Sequence, residues 1–172
     1  RRELVEKAKA SFTAADINLN ALFRPDNTFL NETPVDLTGV LASYGLTLLQ
    51  CVQDQNSLFR TISLLAFGSE HTHGAVRLLA MAEIASCPHL YQKLVSEFPK
   101  GRPQEYVAYS STLNVPGELT SLIALATFFH AAIFVFTPCH ERPVYVHSLS
   151  FPSAATPPPP DANVFCVLFL GN

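Results

Sequence analysis

An α+β fold, one domain with several helices packed around a small central sheet, is predicted by three observations. The front half of the chain repeats apolar residues at helical spacing, while the back half carries short β-branched and aromatic runs. The length of 172 residues fits one domain, since two would each be small for an independent core. Hydrophobic residues make up 48% and charged residues 15%, enough to bury a sizeable core between the layers.

The elements follow in chain order. Residues 3–15 are good helix formers, with Leu4, Val5, Ala8 and Phe12 on one face. An irregular stretch follows, broken by Pro25 and Pro34, and residues 1–35 read as a helical arm or linker ahead of a domain spanning 36–172. Asp36 or Thr38 is positioned to cap a short helix, LTGVLASY, that stops at Gly45. LTLLQCV, bounded by Gly45 and Asp54, is a continuous apolar run and reads as a buried strand or as the extended lead-in to the next helix.

From Ser57 the period changes, and Leu58, Ile62 and Leu65 define a helix ending near Gly68. Residues 71–86 form a second long helix with Val76, Leu79, Ala80 and Ile84 inward. Pro88 separates it from a third, HLYQKLVSEF, and residues 100–116 are polar and loop-like. Gly117 and Glu118 open a helix reaching about His130. AIFVFTP is a buried strand, VYVHSLS alternates as a half-solvated one, and VFCVLFL is a final buried strand after a proline-rich loop.

Composition narrows the function classes. A net charge of −3 with scattered Lys and Arg lacks the electrostatic footprint of a nucleic-acid binder, so no nucleic-acid partner is expected. The densest basic run, Arg1 and Arg2 with Lys7 and Lys9, is the solvated face of a terminal helix. The longest apolar stretch, 119–136, is interrupted by Thr120, Ser121, Thr127 and His130, and reads as helix then strand rather than as a membrane span. With no leader or transit pattern visible, the expected place is cytoplasmic or nuclear. Cys51, Cys87, Cys139 and Cys166 show neither a CxxC pair nor ligand spacing, so they read as reduced, structural thiols with no metal.

The strand-like run stops at DQNS and restarts at once as helix, which is how a chain presents a nucleophile. A side chain at the first turn of a helix meets unpaired N–H groups and the positive end of the helix dipole. Both depress a thiol's pKa, and the same N–H groups can receive an oxyanion. Asp54, Gln55 and Asn56 supply the backbone of that cradle, with Ser57 in the presenting position. Equally, Ser57 after Asp and Asn can be an ordinary N-cap.

The stretch DQNSLFRTISLLAFGSEHTHGAVRLLAMAEI resembles the signature of the ovarian tumour (OTU) family of cysteine deubiquitinases, which has Asp, a variable residue, Asn and Cys before an apolar helix. His73, Val76 and Arg77 match its later His and Leu/Val-Arg positions. PGELTSLIALATFFHAAIFVFTP resembles the family's Gly-Glu-Leu helix and following strand, and VFCVLFLGN the strand before its catalytic His. In order, these pieces cover roughly residues 40–172.

The resemblance implies an OTU-like cysteine-protease domain, probing ubiquitin or polyubiquitin as a monomer, without cofactor, metal or membrane partner. In the parent chemistry a Cys at position 57 attacks the carbonyl of ubiquitin's C-terminal Gly, and N–H groups of residues 54–57 hold the oxyanion. Ubiquitin's tail approaches beside Gly117 and Glu118, and its globular body rests on residues 100–116. Two departures stand out. The family's Cys is Ser57 here, and a hydroxyl is far less acidic than a thiol. The family's His falls on the position after Asn172, so it is expected to be missing rather than replaced.

The expected activity is therefore that of an OTU-type deubiquitinase, inactive with Ser57. The intact turn, helix and lead-in favour an active parent with Cys in that place. The alternative is a natural pseudo-deubiquitinase that binds ubiquitin or acts as a scaffold. A Ser hydrolase using Ser57 lacks a Gly-x-Ser-x-Gly elbow and an identifiable base. His130, His140 and His147 stand away from the family's position, His71 and His73 point to different helix faces, and His73 reads as a structural or cap histidine hydrogen-bonded near its helix start.

Overall fold

The structure, a computed structural model, describes residues 37–95, 101–137, 144–146, 148–150 and 159–168. The expected arm over 1–35, a cap from Asp36, the end of the third helix, Cys139, His140, His147, the run of prolines up to Pro158 and the chain's last four residues lie outside the described residues.

Helix α1 spans Leu37–Ser43 and closes at Gly45, whose φ of 67° suits a residue without a Cβ. Helix α2 spans Ser57–Phe67 and ends where Gly68, at φ 71°, donates its N–H to Leu64 O. A 3-10 turn, Glu70–Thr72, leads into α3, His73–Ser86. The expected single helix from residue 71 is thus split. Ser63, buried in α2, bonds Ser69 O and the Thr72 hydroxyl and so clamps that junction. Val76, Ala80 and Ile84 are buried as expected, while Leu79 is half-buried.

Two helical assignments change. Pro88 opens α4, Pro88–Tyr91, at the first helical position that suits it, and turns follow through residue 95 instead of a long helix. Within the stretch expected to be loop, α5 spans Pro103–Ser110. Its polar sequence hides a narrow stripe, because Pro103, Tyr106 and Ser110 are its buried residues, and the Tyr106 hydroxyl pairs with Ser121 Oγ at 2.9 Å. Helix α6, Leu119–Phe128, is buried along most of its length, and His130 at φ 47° turns the chain into the sheet.

Strands β1 (Ala131–Phe136), β2 (Val144–Val146) and β3 (Asn163–Leu168) form one sheet in the order β2-β1-β3. β1 pairs antiparallel with β2 and parallel with β3, with Ile133 opposite both Val146 and Phe165. Ile133, Val135, Val144, Val146, Phe165 and Val167 face a core shared with α2, α3 and α6. Ala132, Phe134, Phe136 and Tyr145 face the other way, where Val40, Leu41 and Tyr44 of α1 and its end cover them. Tyr44 meets Phe136 edge-on at 5.5 Å.

Layers on both faces explain why all three residues of β2 are buried rather than alternately solvated. β3 buries Phe165 and Val167 and leaves Val164, Cys166 and Leu168 half-buried. LTLLQCV joins no strand. It is extended lead-in, with Leu48, Leu49 and Val52 at 50%, 66% and 53% exposure. The α+β architecture itself is as expected.

Candidate active site

Asp54 organises the turn before α2. One carboxylate oxygen accepts the Asn56 N–H at 2.8 Å, and the Asp54 carbonyl accepts the Ser57 N–H at 3.0 Å. This is the local Asx geometry that Asp favours. Arg60, one turn into the helix, closes on the same carboxylate with Nε and Nη2, the shortest contact being 2.8 Å. The Arg60 hydrogen bonds hold the Asp54 carboxyl well below the usual carboxylate range.

Asn56, at φ −106° and ψ 4°, occupies the N-cap position but makes no capping bond with its side chain. Ser57 is therefore the first helical residue and not the cap. Its side chain is half-buried, and its hydroxyl has no hydrogen-bond partner among the described residues. The N–H groups of Asn56 and Ser57 are engaged inside the turn, while those of Asp54 and exposed Gln55 meet no acceptor among the described residues.

The Asn56 side chain points inward and is 2% exposed. Its Oδ1 accepts from Arg77 Nη2 at 2.9 Å and from the Asn114 N–H at 2.9 Å. Its Nδ2 donates to Asn114 Oδ1 at 2.8 Å and to Asp54 Oδ2 at 3.3 Å. Arg77 is fully buried in α3, where it also donates to Ser110 O at 2.8 Å and Val115 O at 2.6 Å. Its guanidinium lies 4.1 Å from the Phe59 ring centroid, a cation–π contact with α2. A buried guanidinium thus ties α2, α3 and the segment after α5 together.

Gly117 packs against Leu58, the residue after Ser57. A Cβ placed on Gly117 overlaps Leu58 Cδ2 and comes within 3.0 Å of Leu58 Cβ, so the backbone at 117 lies directly on the residue after Ser57. Glu118 precedes α6 in extended conformation and its side chain does not cap that helix. It is solvent-exposed, yet partial desolvation at the helix start pushes its carboxyl pKa up.

His73 starts α3 with Nδ1 buried and without a hydrogen-bond partner, which overturns the expected bonded cap. Desolvation, then the nearby Arg60 charge, lowers its pKa. His130 contacts Ser150 Oγ at 3.1 Å through Nδ1. Cys51 sits in the lead-in with its sulfur 3.2 Å from Thr61 Oγ1, and Cys51, Cys87 and Cys166 are free thiols. Among the described residues no three His, Cys, Asp or Glu side chains group as a metal site, and no helix is long and apolar enough to cross a membrane.

The family resemblance pointed to residues 54–57 and to 117–118, of which Gly117 lies against Leu58, but sequence reasoning missed Asn114 and the anchoring role of Arg77. An arginine on the same helix face as Val76 and Ala80 is the signal for the second, since Arg is almost never fully buried without partners. Asn114 offers a weaker one, as Asn tolerates the φ of 65° it adopts.

No family model and no curated protein matches the chain. Solved structures do. The OTU domain of OTUD1 is similar with a TM-score of 0.56 at 18% identity, over 71% of this chain and 77% of that one. The viral OTU domain protease from Farallon virus is similar with a TM-score of 0.50 at 16% identity, over 72% of this chain and 78% of its own. The chain has the fold of OTU domains.

Proposed function

We propose that the chain is a ubiquitin-directed module of OTU type, derived from a thiol isopeptidase and non-cleaving with Ser57. The observation that carries this reading is the seat of Ser57. It is the first residue of α2, at the positive end of the helix, with Gly117 packed on its neighbour Leu58. Those two features supply a nucleophile position and a backbone wall beside it for an extended peptide tail.

With a thiol in that position, the helix dipole favours thiolate, which attacks the carbonyl carbon of ubiquitin's C-terminal Gly. The carbonyl electrons move onto oxygen, and the N–H groups of Asp54 and Gln55 are the donors left to receive it. Collapse breaks the C–N bond and expels the lysine amine, which takes back the thiol's proton from the imidazolium of a His that the family keeps after its last strand. Water then releases ubiquitin from the thioester. A hydroxyl at Ser57 stays protonated under the same dipole, so binding proceeds and cleavage does not.

The test uses the full-length protein in two forms. Unchanged, it binds ubiquitin without cleaving chains; carrying Ser57→Cys, it forms an adduct with a ubiquitin-derived suicide probe. Absence of both binding and adduct overturns the proposal. Binding with no adduct from the Ser57→Cys form favours the second reading, a ubiquitin-binding pseudoenzyme, which fits the unpartnered Ser57 hydroxyl.

A further inference from the structure

The amide of Asn56 has all four of its hydrogen-bonding positions filled. Oδ1 receives Arg77 Nη2 and the Asn114 N–H, and Nδ2 gives its hydrogens to Asn114 Oδ1 and Asp54 Oδ2. An amide of this type has two acceptor lone pairs and two donor hydrogens, so none is spare. Turning the group over sets its NH2 against the guanidinium and the Asn114 N–H, leaving donors facing donors. One orientation of Asn56 is therefore selected, and with it the backbone just before Ser57.

Two of those four bonds come from one residue, Asn114, 58 positions away in sequence. A two-point contact fixes rotation as well as distance. The same guanidinium that holds Asn56 also grips Ser110 O and Val115 O, on either side of Asn114. Two residues beyond Val115, Gly117 lies against Leu58. The segment 110–117 thus touches the turn 54–58 from two directions, through a polar latch at Asn56 and a backbone contact at Leu58.

We propose that Asn114 is a positioning residue which, acting through Asn56, sets the side chain at position 57 relative to the Gly117 wall. This rests on reading Ser57 as the nucleophile position. The side chain and N–H of Asn114 reach Asn56, so any effect on position 57 passes through that residue. A loosened latch lets the peptide between Asn56 and Ser57 tilt, displacing the reacting side chain and the neighbouring N–H donors together. Displacements of about 1 Å at a reacting centre cost on the order of 100-fold in rate.

The experiment has two arms. Asn114→Gly keeps access to positive φ and the backbone N–H but deletes Oδ1; Asn114→Asp retains an acceptor in its place. In the otherwise unchanged chain, amide hydrogen exchange over residues 54–58 loses protection with Asn114→Gly and regains it with Asn114→Asp, while β1 is unaffected. Equal protection in all three forms overturns the latch.

In the Ser57→Cys background, the maximal labelling rate by a ubiquitin-derived suicide probe falls roughly 10- to 100-fold with Asn114→Gly, at nearly constant half-saturation, and Asn114→Asp recovers most of it. Weaker half-saturation at an unchanged maximal rate overturns the proposal, because residue 114 then serves ubiquitin binding. Should Ser57→Cys alone give no adduct, the reading of Ser57 as a nucleophile position fails, and the exchange arm still decides the latch.

Discussion

Gly117 and Leu58 touch so closely that no side chain fits between them: a Cβ on Gly117 overlaps Leu58 Cδ2 and lies 3.0 Å from Leu58 Cβ. The contact fixes the distance between the start of α2 and the segment entering α6. Gly117 is needed here for close approach.

Gly117→Ala is therefore expected to destabilise the fold by about 1–3 kcal/mol, the range for forcing an extra methyl into a packed contact. If the proposed function holds, it also weakens ubiquitin binding by shifting the backbone against Leu58. Leu58→Ala relieves the overlap, so a double-mutant cycle by urea unfolding gives a favourable coupling between the two sites. Additive losses count against the contact.

Arg77→Met keeps much of the volume but deletes the donors to Ser110 O, Val115 O and Asn56 Oδ1. Stranding buried carbonyls costs about 1–3 kcal/mol each, so a loss of at least about 3 kcal/mol is expected from chemical denaturation. Arg77→Lys restores only a part, since an ammonium lacks the planar fork that reaches three acceptors. A loss below about 1 kcal/mol for Arg77→Met contradicts the anchoring role.

Asp54 carries a depressed pKa in the fold, because Arg60 and the Asn56 N–H stabilise its charged form. A group shifted downward contributes stability that is present above its unfolded pKa of about 3.9 and lost as pH falls through the lower folded value. Asp54→Asn is expected to lower the urea midpoint at pH 7, with the difference from the parent shrinking below about pH 4. A gap that persists unchanged at acid pH contradicts the charged pairing.

Glu118 has the opposite sign. Desolvation raises its folded pKa, so its protonated form is the better accommodated one and ionisation opposes folding once pH rises past the unfolded value of about 4.3. Glu118→Gln is expected to raise the thermal midpoint at pH 7 and to leave it unchanged near pH 3.5. A lower midpoint at pH 7 identifies a favourable partner for the carboxylate and overturns this reading.

Much of the fold was legible because the physics involved is local. Helix α2 announces itself through Leu58, Ile62 and Leu65 and ends at a glycine free to take φ 71°. β1 is a short aromatic and β-branched run with every residue buried. By contrast, α5 was read as loop, because Tyr106 and Ser110 bury a stripe too narrow to give a period. The lead-in at 46–52 reads as strand or as extended chain, and apolarity alone does not say whether a strand edge takes it up.

By itself the sequence determined the α+β class, the courses of α2, α6 and β1, and that Ser57 follows an abrupt switch from extended chain to helix. Spacing, caps and φ-permissive residues carry that information within a few positions of each other. Only the tertiary structure decided which backbone N–H groups the turn consumes, that His73 Nδ1 goes unbonded, and that Asn56 is held by Arg77 and Asn114. Those partners lie 21 and 58 residues from Asn56, and a hydrogen bond formed by packing leaves no periodic trace in the chain that makes it.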